Sequence, residues 1–203
     1  MSADADTIAY YEANAPRYTL SFGQGPSRFL DAFLDRLDAG AEILELGCGS
    51  GRDSARMVER GFAVDPTDGT EAMAHKARER FDLPARKLLF SELDALSAYD
   101  AIWAHACLLH LPRVDLPPVL RSIRTALRPG GLHFANYKLG DEAHPDEGRD
   151  PLGRWTNLPS PDWLEKRYRE AGFTILDAIR YRGEGADGVQ RDWYALTVRR
   201  AGD

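Results

Sequence analysis

The strongest constraint in this chain is a run of apolar residues that breaks into a glycine-rich turn. Glu42 to Cys48 reads Glu-Ile-Leu-Glu-Leu-Gly-Cys, Gly49-Ser50-Gly51 follows at once, and Asp53 to Arg60 has helical character. A short apolar run bounded by glycines reads as a buried strand, and a glycine turn feeding a helix makes a strand-turn-helix unit. That unit demands a sheet with helices packed on it, because neither element can bury its apolar side alone.

The pattern continues downstream. Gly61 closes the first helix, Phe62 to Asp68 reads as a second strand, and Thr70 to Phe81 as a helix. Ala85 to Leu93 and Tyr99 to Ala106 read as strands three and four. Asp115 to Leu127 reads as a helix, capped by Asp115 and ended by Arg128-Pro129-Gly130-Gly131. Gly131 to Lys138 is a fifth strand, Pro161 to Ala171 a helix, and Phe173 to Tyr181 and Asp192 to Arg199 are strands six and seven with no helix between them. The expectation is an α/β fold: a doubly wound, seven-stranded, mostly parallel sheet with helices on both faces and an antiparallel final strand. Residues 1–203 read as a single domain, with an N-terminal helical cap over 1–40 and a binding core over 41–138. A loop without periodic pattern, expected on the substrate side as a lid or binding loop, spans 139–160, and a C-terminal helix and strand hairpin spans 161–203.

Composition narrows the function classes. With 203 residues, 43% of them hydrophobic, the chain carries enough apolar residues for a sizeable core. Its formal charge of −6 argues against a surface that gathers nucleic-acid phosphates. The opening residues lack the basic and apolar regions of a signal peptide, and no apolar run approaches about 18 residues. The reading is therefore a cytoplasmic protein, without membrane or nucleic-acid partner, acting on a small molecule as a monomer or weak homodimer. Cys48 and Cys107 lack metal-ligand spacing, so neither a disulfide nor a metal site is expected.

In open α/β sheets, ligands bind outside the carboxyl ends of the strands, so the residues that follow strands one to four should converge. Gly47, Cys48 and Gly49 open backbone N–H groups at a helix start. A nicotinamide or flavin fingerprint would need its third glycine where Arg52 stands, whereas Gly51 comes one residue early. Asp68 lies 21 residues beyond Gly47 at the end of the second strand, suited either to a ribose or to capping the next helix. His105 and His110 follow the fourth strand and are candidates for taking a proton or touching substrate. In the long loop, Arg149, Arg154 and Trp155 could serve an anionic or aromatic ligand. Pairing of Arg149 with nearby carboxylates and anchoring by Trp155 is the better-supported role on surface-charge grounds.

The segment Ile43-Leu44-Glu45-Leu46-Gly47-Cys48-Gly49-Ser50-Gly51-Arg52 resembles motif I of the class I S-adenosylmethionine-dependent methyltransferases. The resemblance continues through Val64 to Met73, Tyr99 to Trp103 and Leu127 to Gly131, covering about Tyr10 to Lys138. Within the family it looks most like small bacterial members related to tellurite-resistance and small-molecule methyltransferases. The resemblance implies S-adenosyl-L-methionine as cofactor, leaving as S-adenosyl-L-homocysteine, and an acceptor atom of oxygen, nitrogen, sulfur or a metalloid. It further implies that Gly47, Cys48, Gly49 and Arg52 border the methionine end, and that Asp68 holds the ribose. Gly69, Thr70 and Met73 would lie near the adenine, which Leu93 and Asp94 would read. Tyr11, Ala15 and Tyr18 match an aromatic segment that folds over the cofactor in such enzymes. Those tyrosines could equally pack a terminal helix, and Pro16 disfavours helix at Ala15. Two other readings stand beside this one: a non-catalytic S-adenosylmethionine sensor or scaffold, and an NAD-dependent oxidoreductase.

Overall fold

In the computed structural model, which describes residues 4–21, 25–140, 146–185 and 188–202, helices and strands alternate as their patterning dictates. Two helices, α1 (Ala5–Ser21) and α2 (Leu30–Leu34), precede β1 (Glu42–Leu46), α3 (Arg52–Glu59), β2 (Ala63–Asp68), α4 (Glu71–Phe81) and β3 (Arg86–Lys87). Then come β4 (Tyr99–Ala104), α5 (Leu116–Ala126), β5 (Leu127–Lys138), β6 (Glu147–Arg149), β7 (Trp155–Asn157), α6 (Pro161–Glu170), β8 (Phe173–Glu184) and β9 (Gln190–Arg200).

The main sheet has seven strands in the order β3-β2-β1-β4-β5-β9-β8. All pairs are parallel except those of β9, which runs antiparallel to both β5 and β8. The strand order reverses at β1 and β4, and that reversal opens the crevice in which such folds bind ligands. Because the central strands are covered on both faces, they are apolar on both. Leu44 and Ile102 join the core beneath α5 and α6, with Leu120, Ile123 and Tyr168. Their neighbours Ile43 and Trp103 join the opposite core beneath α2 and α3, with Phe33 and Met57.

Several boundaries differ from the sequence reading. The third strand shrinks to Arg86–Lys87, because the chain turns at Phe90–Glu92 into a 3-10 turn closed by the Glu92 carboxylate accepting Leu89 N–H at 2.8 Å. Of the leucines that mimicked a strand there, Leu93 joins the core and Leu88 packs against it instead. The fifth strand starts at Leu127 rather than Gly131, with a register shift against β4 between Tyr99 and Ala101. Gly131 is needed at that bulge, since a Cβ would lie 2.9 Å from the Asp100 carbonyl. Asp115 precedes α5 but makes no side-chain cap. Helix α1 runs unbroken through Pro16. The cost of the missing N–H is met by burial of Ala15 and by ring packing on either side of it. Of the loop expected over 139–160, positions 141–145 lie outside the described residues; the rest contains the antiparallel hairpin β6–β7. Asp150 shapes its turn by accepting Leu152 and Arg154 N–H at 3.0 Å each. Strands of three residues carry no readable period. Among the described residues, no helix is long and apolar enough to cross a membrane.

Candidate active site

The glycine loop is held by contacts that only glycine permits. Gly47, Gly49 and Gly51 have φ of 69°, 56° and 84°. A Cβ on Gly47 would stand 2.5 Å from the Cys107 Cβ, so the loop lies directly against the turn after β4. A Cβ on Gly51 would meet Leu83 at 2.7 Å and Ala77 at 3.0 Å, so this glycine lets α3 and α4 approach. Arg52, one residue on, opens α3 and faces a cavity of about 490 Å³ at the carboxyl ends of β1, β2, β4 and β5.

Asp68 ties β1 to β2 at this point. One carboxylate oxygen accepts the Gly49 N–H at 3.0 Å, and the other accepts the Thr70 N–H and hydroxyl at 2.9 Å each. Thr70, not Asp68, caps α4, accepting Met73 N–H at 3.4 Å. A carboxylate offers about four lone-pair sites, so one remains toward the cavity. Burial pushes the Asp68 carboxyl up, opposed by these donors. Glu45, also buried, receives the Ser54 hydroxyl, and burial together with the nearby Asp53 carboxylate pushes its carboxyl up to about 8. Asp53 accepts Trp103 Nε1–H at 2.9 Å and Ser27 N–H at 2.7 Å, drawing the segment before α2 over the crevice.

Of the residues expected from sequence, Tyr11, Tyr18, Gly47, Cys48, Gly49, Arg52, Asp68, Gly69, Thr70, Met73, His105 and His110 border this cavity. Leu93 and Asp94 do not. Leu93 is buried in the core and Asp94 is exposed, because the 3-10 turn after β3 directs Phe90 to the cavity wall in their place. Cys48 and Cys107 are buried free thiols. The Cys107 thiol donates to the Leu46 carbonyl at 3.0 Å. Among the described residues, no group of three or more His, Cys, Asp or Glu side chains could hold a metal ion.

The aromatic segment is a wall of the cavity. Tyr11 and Tyr18 meet edge to face at 5.3 Å. The His110 Nδ1 lies 2.6 Å from the Trp155 carbonyl, which can only accept, so Nδ1 carries the proton and Nε2 accepts the Tyr11 hydroxyl at 3.0 Å. The Tyr11 oxygen in turn accepts from Arg154 at 2.7 Å. Burial, with the Arg154 charge beside it, pushes His110 down to about 4. His110 thus borders the cavity with both ring nitrogens engaged, Nδ1 by Trp155 of β7 and Nε2 by Tyr11 of α1. His105 has a different setting, its ring parallel to Trp103 at 6.1 Å and 9°. Burial pushes it down, Asp53 opposes, and the charges of Arg52 and Arg28 push it further, so it is neutral.

The long loop does not line the cavity among the described residues; it braces α1 from outside. Arg149 pairs with Asp4 and Asp6, and Trp155 N–H donates to the Thr7 hydroxyl at 2.7 Å. Arg154, 1% exposed, pairs with Asp150 at 2.6 Å. The far half of the cavity instead contains residues that the sequence reading missed: Arg28, Phe29, Asn136, Tyr181 and Trp193. Asn136 was findable as the one amide near the carboxyl end of an apolar strand. It accepts Ala106 N–H at 2.6 Å, holding that residue at φ 53°, and donates to the Tyr181 hydroxyl at 2.7 Å. Nothing local marks Tyr181 or Trp193.

A family model described as a methyltransferase domain matches residues 17–178. The chain is 30% identical over 136 residues to the ubiquinone biosynthesis O-methyltransferase of Caulobacter vibrioides, covering 62% of this chain and 53% of that protein. It is 30% identical over 156 residues to the 27-O-demethylrifamycin SV methyltransferase of Amycolatopsis mediterranei, covering 70% and 50%. The chain thus spans about half the length of these curated relatives. A solved structure of the Burkholderia thailandensis 1,6-didemethyltoxoflavin-N1-methyltransferase, with bound 1,6-didemethyltoxoflavin and S-adenosylhomocysteine, superposes with a TM-score of 0.76. That likeness, at 24% identity, covers 97% of this chain and 86% of the other and establishes the shared fold.

Proposed function

The chain belongs to the methyltransferase-domain family, and from that premise we propose that it moves the methyl group of S-adenosylmethionine to a small-molecule acceptor. The observation that carries this reading is one cavity with two unlike halves: a glycine cradle with Asp68 and Tyr11 at one end, and an aromatic chamber at the other. The residues suit the cofactor. Asp68 keeps a lone pair for a ribose hydroxyl, the loop leaves backbone room beside Gly49, and the tyrosine faces offer a sulfonium about 0.5–2 kcal/mol of cation–π attraction. When bound, S-adenosylmethionine supplies a methyl group open to in-line displacement.

The chain's own part is to orient and to exclude water. Positioning of two reactants can lower a barrier by about 7–11 kcal/mol, which makes the shape of the two halves the main device. We assign the proton-accepting role to His105 rather than His110, since His105 borders the cavity as a neutral ring while the nitrogens of His110 are engaged. Oxygen is our first choice of acceptor atom, following the names of both curated relatives. The relatives are diverse, and the tellurite-resistance branch that the motifs resemble is one among them. A formal charge of −6 supports a small molecule over nucleic acid.

Isothermal titration with S-adenosylmethionine, S-adenosylhomocysteine and NADH, repeated on Asp68→Ala, tests the reading. Both adenosyl ligands should bind wild type, with affinity at least tenfold weaker in the variant; binding of NADH alone overturns it. Transfer of isotopically labelled methyl to a panel of hydroxylated small molecules then separates an enzyme from a cofactor-binding sensor, which would bind without turnover.

A further inference from the structure

The cavity half remote from the glycine loop has its own chemistry. Tyr181 and Trp193 stack at 6.1 Å and 17°, and Phe29 packs on Tyr181 at 5.1 Å. Arg28 stands at the rim with its guanidinium carbon 4.7 Å from the Phe29 ring centre and 4.1 Å from that of Tyr181. A guanidinium stacked on ring faces is held by its own face, which leaves its N–H edge free to bind a planar anion. Arginines elsewhere on this surface meet carboxylates: Arg36 meets Asp177, Arg60 meets Asp35, and Arg86 meets Asp65. Arg28 meets none among the described residues. Glu184, the acid on the same rim, is engaged by Gln190 at 3.3 Å.

A second donor lies beside it. The Tyr181 oxygen accepts from Asn136 at 2.7 Å, so its own O–H proton is left to give. Asn136 is itself 1% exposed and pinned by Ala106, which fixes the phenol in place. An aromatic wall with a stacked guanidinium and a phenol O–H at its edge is built for a flat ring bearing an anion.

We infer that this half of the cavity takes a planar aromatic acceptor carrying a carboxylate, its ring against Tyr181 and Trp193 and its carboxylate on the Arg28 edge. The inference rests on the methyltransferase reading above and names its acceptor class. Methyl transfer to a hydroxyl of such a ring forms one O–CH3 bond, breaks one S–CH3 bond, and passes the hydroxyl proton to His105.

The test uses protein saturated with S-adenosylhomocysteine and two probes, 3,4-dihydroxybenzoate and catechol, which share a ring and hydroxyls and differ by the carboxylate. Wild type should bind the carboxylated probe at least tenfold more tightly, and added salt should shrink the difference because Arg28 is exposed. Arg28→Met, which keeps an aliphatic stem on the rings, should abolish the preference while S-adenosylhomocysteine affinity stays within twofold; Arg28→Lys should recover part of the preference. Equal binding of the two probes, a preference that survives in Arg28→Met, or binding of neither probe overturns the inference. Failure of wild type to bind S-adenosylhomocysteine overturns the cofactor reading instead, so the two failures are distinct.

Discussion

Gly47 and Gly61 share a positive φ but not a neighbourhood. Gly61 has φ 85° with nothing within 4 Å of a would-be Cβ, whereas a Cβ on Gly47 would overlap Cys107. Gly61→Ala should therefore cost only backbone strain, about 1 kcal/mol. Gly47→Ala adds overpacking against a fixed turn and should cost about 2–4 kcal/mol. Denaturant unfolding of both variants checks the difference, which equal costs would refute. At this scale the sequence was legible wherever a residue's role is local: Gly47 and Gly49, Thr70 beside Asp68, and Tyr11 with Tyr18 all border the cavity. It was illegible at Leu93 and Asp94, because a three-residue 3-10 turn rotates every side chain after it and has no compositional mark.

The hairpin β6–β7 is the element whose purpose was hidden. Its sequence carries no periodic pattern, and its described part braces α1 through the buried Arg154, which pairs with Asp150 and donates to Tyr11. Arg154→Met would leave the Asp150 carboxylate buried without its partner and should destabilise the protein by about 3–5 kcal/mol. Adding Asp150→Asn, which keeps the oxygen that shapes the turn, should recover most of that loss. The double variant still lacks the donor to Tyr11, so its affinity for S-adenosylmethionine should stay several-fold below wild type. Full recovery of both would make the pair purely structural. Long elements such as β5 and α5 were readable because a dozen residues average over local exceptions. Short ones such as β3, β6 and β7 depend on partners distant in sequence.

Across the whole molecule, buried titratable groups set a pH optimum. His110 and His133 are both pushed down to about 4, chiefly by burial. Their folded pKa lies below the unfolded value near 6.5, so the unfolded chain binds more protons and stability falls as pH drops from about 6.5 toward 4. At about 1.4 kcal/mol per unit, each histidine costs about 3 kcal/mol by pH 4. Glu45 runs the other way: raised to about 8, it contributes stability below about 4.5 that is lost as pH rises through 8. Where the windows overlap the two histidines outweigh the one glutamate, so the melting temperature of ligand-free protein should peak near pH 6.5. Glu45→Gln should flatten the alkaline side and steepen the rise between about pH 4.5 and 6.5; an unchanged alkaline slope would refute the assignment. The sequence alone determined the strand-turn-helix order, the glycine loop and the acidic end of β2, since each follows from apolar periodicity or from a φ that only glycine adopts cheaply. Tertiary structure alone decided that His110 bonds Tyr11, that the hairpin braces α1 and that Arg28 meets Tyr181, because these pairs lie tens to over a hundred residues apart and only the folded sheet brings them together.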